Sequence, residues 1–335
     1  SISAGANVTL LSLSSALPSV VYLYLEYSGT GYSLRVENAL ATRLIAVTSA
    51  GSAYWSENGV TWNGPFTTGL TAGAQATSGA NGMFAVAGTG GVSSSPDGIV
   101  WTLHAMPNGA SPVSYIESNP SGAFLAVTNY TGYGYAYPSA DGVSWPTYSM
   151  VPYTTTNGSW FAGLWYLTSS NGSSWRSSAD GITWTSVTGT GSTMYQLNRV
   201  VGINGRLVAG GGLPANGGTQ IQVSNDSGAT FAAAITIPAS AGYVNSFAVV
   251  GTNRLVVGGS GASVLVSVTD DYGVTWSAPS YPGTATVNAL CTTPLGLFAG
   301  DASGNLFRST DGGASFTLVT TFPSAVTGIA TRTVN

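Results

Sequence analysis

The sequence predicts an all-β fold, a seven-bladed β-propeller of four-stranded blades, and three observations lead to this prediction. Glycine makes up 46 of the 335 residues, about twice its average share, and 44% of the residues are hydrophobic. Charged residues make up only 6%, against about a quarter in an average domain, and lysine is absent. A short turn motif recurs seven times at nearly even spacing. Evenly spaced turns in a glycine-rich chain are typical of propellers.

The recurring unit, called the turn motif below, is a Ser or Thr followed two residues later by Asp or Asn, then by Gly and an aromatic residue. Its Asp or Asn position is occupied by Asn58, Asp97, Asp141, Asp180, Asp226, Asp271 and Asp311. The aromatic residues that close it are Trp62, Trp101, Trp145, Trp184, Phe231, Trp276 and Phe316. Neighbouring closing aromatics lie between 39 residues (Trp62 to Trp101) and 47 residues (Trp184 to Phe231) apart, the length of one propeller blade.

Each turn motif predicts a hairpin between two strands of a blade. Asp-Gly between strand-like runs is the strongest short-range hairpin signal. The carboxylate can accept backbone N–H bonds inside the turn, and the glycine supplies a positive φ. The aromatic residue begins the next strand and can pack between neighbouring sheets. One such match would indicate an ordinary β-turn, but seven at even spacing indicate a structural repeat.

The motif resembles that of the Asp-box family, the bacterial neuraminidase repeat, whose pattern is Ser-x-Asp-x-Gly-x-Thr-Trp. The last three copies fit this pattern at full length, and the first four are one residue shorter between the Asp position and the aromatic. Asn58 stands in the Asp position of the first copy. The resemblance implies a sialidase-like propeller in which the motif residues are structural. It implies little about function, because Asp-box propellers include sialidases, other glycosidases, lectins and assembly factors.

Two domains are predicted: an N-terminal β segment at 1–38 and the propeller at 39–335. The last repeat predicts strands at 287–293, 296–301, 305–310 and 314–320. After the seventh turn motif, residues 325–331 predict one more strand, whereas the first repeat begins with a second strand at 44–47. We therefore expect the C-terminal strand to complete the first blade and close the ring. The segment 1–38 is predicted to serve attachment or oligomerisation, the alternative being a strand packed on the outside of the propeller.

A sialidase-like glycoside hydrolase is the alternative function that the resemblance implies. Its site would need three arginines, a tyrosine nucleophile with a nearby glutamate, and an acidic group. Outside the turn motifs and their neighbours, the acidic residues are Glu26, Glu37, Glu117 and Asp301. A carboxylate pair for glycoside hydrolysis would have to include Glu117, Asp301 or a turn-motif Asp. Because so few carboxylates remain, we expect a protein that is not an enzyme.

The arginines support the same expectation. All eight basic residues are arginines scattered along the chain. Arg176 and Arg308 take equivalent places on third strands, and Arg206 and Arg254 both begin second strands. Equivalent positions in different blades indicate a structural use.

Other chemistry is scarce in the sequence. His104 is the only histidine and Cys291 the only cysteine, so no metal site of His and Cys ligands is predicted. We expect His104 to lie at the surface and Cys291 to be buried in a strand as a packing residue. No cofactor is predicted, although Ca²⁺ stays open with Asp270, Asp271 and Asp301 as oxygen donors. The basic residues are too few for a nucleic-acid partner. No apolar run reaches the roughly 18 residues of a spanning helix, so no membrane insertion is predicted.

Aromatic residues are the one functional group in surplus, and they are dense between positions 130 and 175. Exposed aromatic rings beside amides such as Asn129, Asn157 and Asn171 suit stacking on sugar rings and hydrogen bonding to their hydroxyls. The alternative is that half of these rings fill the interfaces between blades. The candidate ligand-binding residues are Tyr130, Tyr133, Tyr135, Tyr137, Trp160, Trp165, Tyr166 and Trp175.

These observations favour a non-catalytic propeller that binds a carbohydrate or receptor on a cell surface. The rarity of charge and the many Ser, Thr and Gly residues favour an extracellular or virion-surface location, such as a phage spike or tail. Assembly into something larger through residues 1–38 is expected, and a homo-oligomer stays open. A structural scaffold for protein–protein interaction is the third interpretation.

Overall fold

The computed structural model describes residues 21–27, 32–38, 41–78, 81–109, 112–130, 133–152, 155–169, 175–187, 196–212, 219–237, 242–260 and 265–334. Within these ranges the chain forms β-strands, numbered β1 to β29 in chain order. No helix in this part of the chain is long and apolar enough to cross a membrane. Contacts divide the chain into two units, Ser1–Ala41 with Thr333–Asn335, and Thr42–Arg332.

The first unit contains a two-stranded antiparallel sheet. Its strands are β1 (Val21–Tyr27) and β2 (Tyr32–Asn38). The register pairs Leu23 with Val36 and Leu25 with Leu34. Both strands fall within the segment 1–38, whose role in attachment or oligomerisation stays a prediction.

The second unit is a seven-bladed β-propeller of antiparallel sheets, which confirms the predicted fold class. Blade 1 contains β29 (Val326–Val334), β3 (Ala41–Thr48), β4 (Ser52–Ser56) and β5 (Asn63–Thr67). Blade 2 contains β6 (Ala72–Ser78), β7 (Phe84–Thr89), β8 (Gly91–Ser95) and β9 (Thr102–His104). Blade 3 contains β10 (Val113–Ser118), β11 (Phe124–Thr128), β12 (Tyr133–Ser139) and β13 (Ser149–Pro152).

The remaining blades use consecutive strands in the same way. Blade 4 contains β14 (Thr155–Phe161), β15 (Leu164–Ser169), β16 (Trp175–Ser178) and β17 (Thr185–Val187). Blade 5 contains β18 (Gln196–Ile203), β19 (Arg206–Gly212), β20 (Thr219–Ser224) and β21 (Ile235–Thr236). Blade 6 contains β22 (Val244–Val250), β23 (Arg254–Gly259) and β24 (Val266–Thr269). Blade 7 contains β25 (Val287–Thr293), β26 (Gly296–Asp301), β27 (Asn305–Ser309) and β28 (Thr317–Thr321).

Blade 6 differs from the others in its fourth strand, which is reduced to one bridge. Val268 and Ser277 exchange two backbone hydrogen bonds of 2.9 Å. Two residues later comes Pro279, which has no N–H to continue a ladder. Pro279 therefore explains why the fourth strand of blade 6 is limited to this one bridge.

The C-terminal strand closes the ring, as the sequence predicts. β29 lies beside β3 in blade 1, so the two ends of the propeller share one sheet. The backbone N–H of Ser49 donates to the carbonyl of Ala325 (2.8 Å), at the entry to this pairing. Val326 of β29 is fully buried, and it packs with Leu44 of blade 1 and Phe298 of blade 7.

The blades pack on one another through apolar side chains. One cluster joins Ala85 of blade 2 to Phe124 of blade 3. The second strands are the most buried part of the blades, and all five residues of β11 are buried. Because both faces of these strands are covered, their sequences are continuous apolar runs and show no alternation of apolar and polar residues.

The turn motifs join the third and fourth strands of the blades and share one hydrogen-bond pattern. In blade 2, the hydroxyl of Ser95 donates to Asp97 Oδ1 (2.9 Å) and accepts from the N–H of Gly98 (2.8 Å). Asp97 Oδ1 also accepts from the N–H groups of Ile99 (2.8 Å) and Val100 (3.0 Å). Such bonds stabilise the ionised form, and those from Thr183 and Ile182 lower the pKa of Asp180 to about 2. The motif carboxylates are therefore engaged in building turns.

Candidate functional site

One cavity of ≈ 270 Å³ lies where the first strands of all seven blades converge. Six of these strands, those of blades 2 to 7, carry a β-bulge, in which one extra residue interrupts the pairing with the second strand. Bulges re-aim the neighbouring side chain, and in each strand the residue just after the bulge lines the cavity. These residues are Gln75, Tyr115, Asn157, Arg199, Ser246 and Ala289.

Blade 3 contributes an acid paired with a phenol. The hydroxyl of Tyr115 donates to Glu117 Oε2, and the backbone N–H of Trp160 in blade 4 donates to Glu117 Oε1 (3.3 Å). The Ser159 side chain also hydrogen-bonds the carboxylate. Tyr115 is buried, whereas Glu117 is half-buried and lines the cavity. The carboxylate is thus held in place but stays within reach of a molecule in the cavity.

Blade 5 contributes a cation to the same cavity. Arg199 Nε donates to the backbone carbonyl of Asn245. With its amide oxygen facing these donors, Gln75 accepts from Arg199 Nη1 (2.7 Å) and Nη2 (3.1 Å), and from Asn157 Nδ2 (2.7 Å). Gln75 of blade 2 and the backbone carbonyl of Asn245 in blade 6 therefore hold the guanidinium, and Asn157 of blade 4 in turn holds Gln75.

Burial shifts the titration of this group of side chains. It raises the pKa of Glu117 to about 7, against the opposing effect of its hydrogen bonds and of Arg199. It also lowers the pKa of Arg199 to about 10 and raises the pKa of Tyr115 well above its ordinary value. Near neutral pH the cavity therefore holds a cationic arginine and a carboxyl that exchanges its proton.

Four tyrosines on the outer part of blade 3 form a second group of side chains, the tyrosine face. They are Tyr130, Tyr133, Tyr135 and Tyr148. The rings of Tyr130 and Tyr133 stack with centroids 5.4 Å apart. Tyr135 meets Tyr148 edge to face, also at 5.4 Å. Tyr133 and Tyr148 are 40% and 46% exposed, so two of the four rings present substantial surface to solvent.

The other predicted binding residues lie elsewhere. Tyr137, Trp165, Tyr166 and Trp175 are at most 3% exposed, and Trp160 is half-buried against Trp165. Trp165 packs in a cluster between blades 3 and 4, and Tyr166 and Trp175 pack in one between blades 4 and 5. These rings fill interfaces between blades, because their faces are covered by neighbouring strands. Of the predicted stacking residues, those of the tyrosine face therefore remain candidates for contact with a sugar ring.

The amides expected beside these rings are also separated. Asn157 lines the central cavity with Arg199. Asn129 is half-buried next to Tyr130. Asn171 lies outside the described residues.

Among the arginines other than Arg199 whose side chains the structure describes, Arg176 donates to the hydroxyl of Ser186 in its own blade, and the rest contact turn motifs. Arg43 donates to the carbonyl of Asp97 in the next blade (2.7 Å), and Arg254 donates to that of Gly312 (3.2 Å). Related contacts with a neighbouring turn motif are made by Arg206, Arg308 and Arg332. For Arg206 and Arg254, which both contact the turn motif of the next blade, this agrees with the structural use inferred from their equivalent positions. The described residues thus bring one arginine to the cavity, and not three.

The remaining candidates have structural partners. Asp301, fully buried, accepts from the N–H groups of Ser303 and Asn305 (both 2.8 Å) in its own turn. Asp270 pairs with Arg254. Within the described part of the chain, no group of three His, Cys, Asp or Glu side chains could hold a metal ion. His104 is half-buried and lies 2.8 Å from the hydroxyl of Ser94. Cys291 is half-buried, and burial raises its pKa to about 12.

Comparison with known proteins gives matches in structure only. No family model matches the chain, and no curated protein matches it. A functionally unknown protein from Desulfotomaculum acetoxidans superposes with a TM-score of 0.64 at 14% identity, covering 88% of this chain and 99% of that one. YCF48 bound to a D1 peptide superposes with a TM-score of 0.56 at 12% identity, covering 89% and 98%.

A glycoside hydrolase is also among the similar structures. The GH74 enzyme of Niastella koreensis superposes with a TM-score of 0.51 at 15% identity. The match covers 89% of this chain but 46% of the enzyme. At identities this low, these likenesses concern the fold alone.

Proposed function

We propose that this propeller is a non-catalytic module that recognises a cell-surface glycan through its tyrosine face. The observation that carries the proposal is the exposure of Tyr133 and Tyr148 within one packed group of tyrosines. A tyrosine ring offers a flat apolar surface and a hydroxyl at its edge. A sugar ring offers a flat face of C–H groups edged by hydroxyls, so the two surfaces are complementary.

The ring geometry supports an ordered surface. Tyr135 contacts Tyr130, Tyr133 and Tyr148 with ring centroids 5.4 to 6.2 Å apart. Beneath them, the hydroxyl of the buried Tyr137 donates to Asn108 Oδ1 (2.7 Å). A surface held by such contacts loses little side-chain entropy when a ligand binds.

The test is a glycan-array screen of the full chain, followed by affinity measurements on variants. Tyr133→Ala and Tyr148→Ala are expected to weaken binding at least about tenfold, which corresponds to about 1.4 kcal/mol. Tyr243→Ala is the matched control, because Tyr243 is also a surface tyrosine, 36% exposed, but lies at the start of blade 6. Glycan binding that survives both variants would contradict the proposal.

We also propose that the turn motifs are Asp-boxes and that the protein acts outside the cell or on a virion, as a phage spike or tail protein. The scarcity of charge and the absence of lysine support this location. Quantifying the protein in purified particles and in the culture supernatant tests it. Native protein found free in the supernatant, with none on particles, would contradict a virion location.

A glycoside hydrolase is the second candidate, and the Tyr115–Glu117 pair in the central cavity favours it. Fluorogenic glycosides provide the assay, with Glu117→Gln as the variant that removes the acid and keeps its size. Turnover by the wild type that Glu117→Gln abolishes would replace the binding function by a catalytic one. If neither glycan binding nor turnover is found, a protein-interaction scaffold becomes the favoured function.

A further inference from the structure

The two sides of the propeller ring differ in charge. Consecutive strands of a blade are antiparallel, so the turn motif and the connection from the first to the second strand lie at one end of the blade, the turn side. The connection from the second to the third strand and the chain that leads to the next blade lie at the other end. None of the connections at this other end contains Asp, Glu, Lys, Arg or His, and we name it the neutral side.

The charged side chains of the propeller lie on the turn side, inside the ring or within a blade. The turn motifs contain most of the acids, and five arginines contact these motifs as described above. Glu117 and Arg199 line the central cavity, and Arg176 donates to Ser186 within blade 4. The charges are therefore engaged away from the neutral side.

Two titratable residues end strands that lead to the neutral side. Asp301, the last residue of β26, is fully buried and accepts from two backbone N–H groups of its own turn. His104, the last residue of β9, is half-buried beside the hydroxyl of Ser94, and burial lowers its pKa below 6.5. Among the described residues, the neutral side therefore presents no formal charge to solvent at neutral pH.

Hydroxyls, amides and aromatic rings take the place of charges on the neutral side. Ser49, Asn108 and Ser303 are exposed there, and Tyr130 and Tyr133 of the tyrosine face flank the connection in blade 3. Tyrosine, serine, glycine and asparagine also dominate the binding loops of antibodies, because they combine rigid aromatic contacts with adaptable hydrogen bonds. Such a surface suits a ligand that is rich in uncharged hydroxyls.

We infer that the neutral side binds glycans built of uncharged sugars and discriminates against glycans that carry sialic acid, uronic acid, sulfate or phosphate. The inference rests on the proposed glycan-binding function and names the class of glycan. An anionic group that leaves water needs a cation or several donors to replace its hydration, and arginine is the side chain best suited to carboxylates and phosphates. Every arginine of the propeller has its partners elsewhere, so an anionic sugar would lose hydration without compensation.

A glycan array that includes uncharged, sialylated, uronic-acid-containing and sulfated glycans tests the inference on the full chain. The tightest ligand is expected to be uncharged and to bind at least about tenfold more tightly than any anionic glycan. Its affinity should change less than about twofold between about 0.01 M and about 1 M NaCl, over which the Debye length falls from about 30 Å to about 3 Å. The salt series needs no variant.

Met150→Arg tests the same point by adding the missing cation. Met150 is 63% exposed and lies opposite Tyr135 in the register of blade 3, so both share one face of the sheet. The variant is expected to raise the affinity for at least one singly sulfated form of the tightest glycan by about threefold or more, relative to the parent glycan. Val274→Arg is the matched control, because it makes the same charge change at a 78% exposed position of a turn motif. It should leave this ratio unchanged.

The outcomes separate this inference from the proposed function. A charged glycan as the tightest ligand, or an affinity that falls more than about tenfold with salt, would overturn the inference; if Tyr133→Ala weakens that binding, the tyrosine face stands. An uncharged glycan that wild type and Tyr133→Ala bind equally would reject the tyrosine face alone. Equal gains from Met150→Arg and Val274→Arg, both folded by circular dichroism, would also contradict the inference. Binding of no glycan would overturn both proposals.

Discussion

The hydroxyl of Tyr115 donates a hydrogen bond to the carboxylate of Glu117, two residues later on the same strand of blade 3. Both side chains line the central cavity. The phenol is buried and keeps its proton, because burial raises its pKa well above the ordinary value. The pair is therefore a fixed donor and an acid whose charge depends on pH.

Glu117→Gln is expected to stabilise the propeller at pH 8 by about 1–3 kcal/mol. The pKa of Glu117 is about 7 in the folded chain, above its ordinary 4.5, so the folded state binds the proton more tightly than the unfolded state. The wild type is thus relatively most stable below pH 4.5 and loses stability as the pH rises through 7. A pKa difference of one corresponds to about 1.4 kcal/mol, and solvent screening of the half-buried carboxyl reduces the net effect.

Urea unfolding of both proteins between pH 4 and 8 measures this difference. The amide oxygen that Glu117→Gln introduces can still accept from Tyr115, so the hydrogen bond is retained. The two stability curves should converge at low pH and separate above pH 7. A variant that is less stable than the wild type at pH 8 would show that the carboxylate is not penalised there.

His104 is expected to make the propeller less stable in acid. Burial lowers the pKa of His104 below its ordinary 6.5, so the unfolded state binds the proton more tightly. Its contribution is fully present above pH 6.5 and declines as the pH falls through the lowered pKa of the folded state. His104→Gln removes the titration and can still bond to the hydroxyl of Ser94. Thermal unfolding at pH 5 and 7.5 should show a smaller acid-induced drop for the variant, and an equal drop would refute the assignment.

Gly98→Ala is expected to destabilise the propeller more than Gly205→Ala does. Both glycines have a positive φ, +74° and +75°, so an alanine is strained at both by about 1–3 kcal/mol. A Cβ at position 98 would also lie 2.9 Å from Ile45 Cγ2 in blade 1, whereas at position 205 nothing lies within 4 Å. Overpacking adds about 1–3 kcal/mol. Denaturant unfolding measures both, and equal losses would exclude an effect of blade packing.

Deletion of residues 326–335 is expected to abolish cooperative folding of the propeller. The deletion removes β29, leaves β3 as an unpaired edge, and exposes the neighbours of Val326 and Ile329, which are 0% and 7% exposed. Burial of such side chains contributes about 1.5–3 kcal/mol each, a large part of a typical stability of about 5–15 kcal/mol.

Deletion of residues 1–40 is the matched control for this truncation. Those residues cluster outside the unit Thr42–Arg332, so the shortened chain should keep its cooperative unfolding. Circular dichroism melts and limited proteolysis compare the two. A chain without β29 that melts at the wild-type temperature would show that ring closure is dispensable.

The spacing of the turn motifs was sufficient to predict the fold. Each motif marks the junction of the third and fourth strands, so seven motifs predict seven blades and leave β29 to complete the first. The motif spacing does not predict the reduced fourth strand of blade 6. Pro279 was visible in the sequence, but its effect depends on where the pairing with β24 begins.

The central cavity was harder to predict, because its residues come together through the fold. Tyr115 and Arg199 lie in different repeats and have no common sequence pattern. Their shared position just after a β-bulge becomes visible only when the strand pairing is known. The sequence identifies Glu117 as a candidate acid but does not identify its partners.

The exposure of the tyrosines on β12 could be predicted only in part from the sequence. Tyr133, Tyr135 and Tyr137 alternate along β12, so the sequence places them on one face. Their exposure nevertheless falls from 40% at Tyr133 to 0% at Tyr137. Tyr137 packs against Ala85 of blade 2, and its hydroxyl donates to Asn108 in the connection between blades 2 and 3. Aromatic density in the sequence predicts a cluster but not which rings a neighbouring blade covers.

The pairing of β29 with β3 has a mechanical consequence. Because the first and last strands of the ring lie side by side in blade 1, a pull applied to the chain on either side of the propeller reaches this one pair of strands first. The hydrogen bonds between them and the side chain of Val326 would bear the tension, and the other six blades would be shielded until that pair separates. The pairing of β29 with β3 in blade 1 therefore sets how much force the ring withstands.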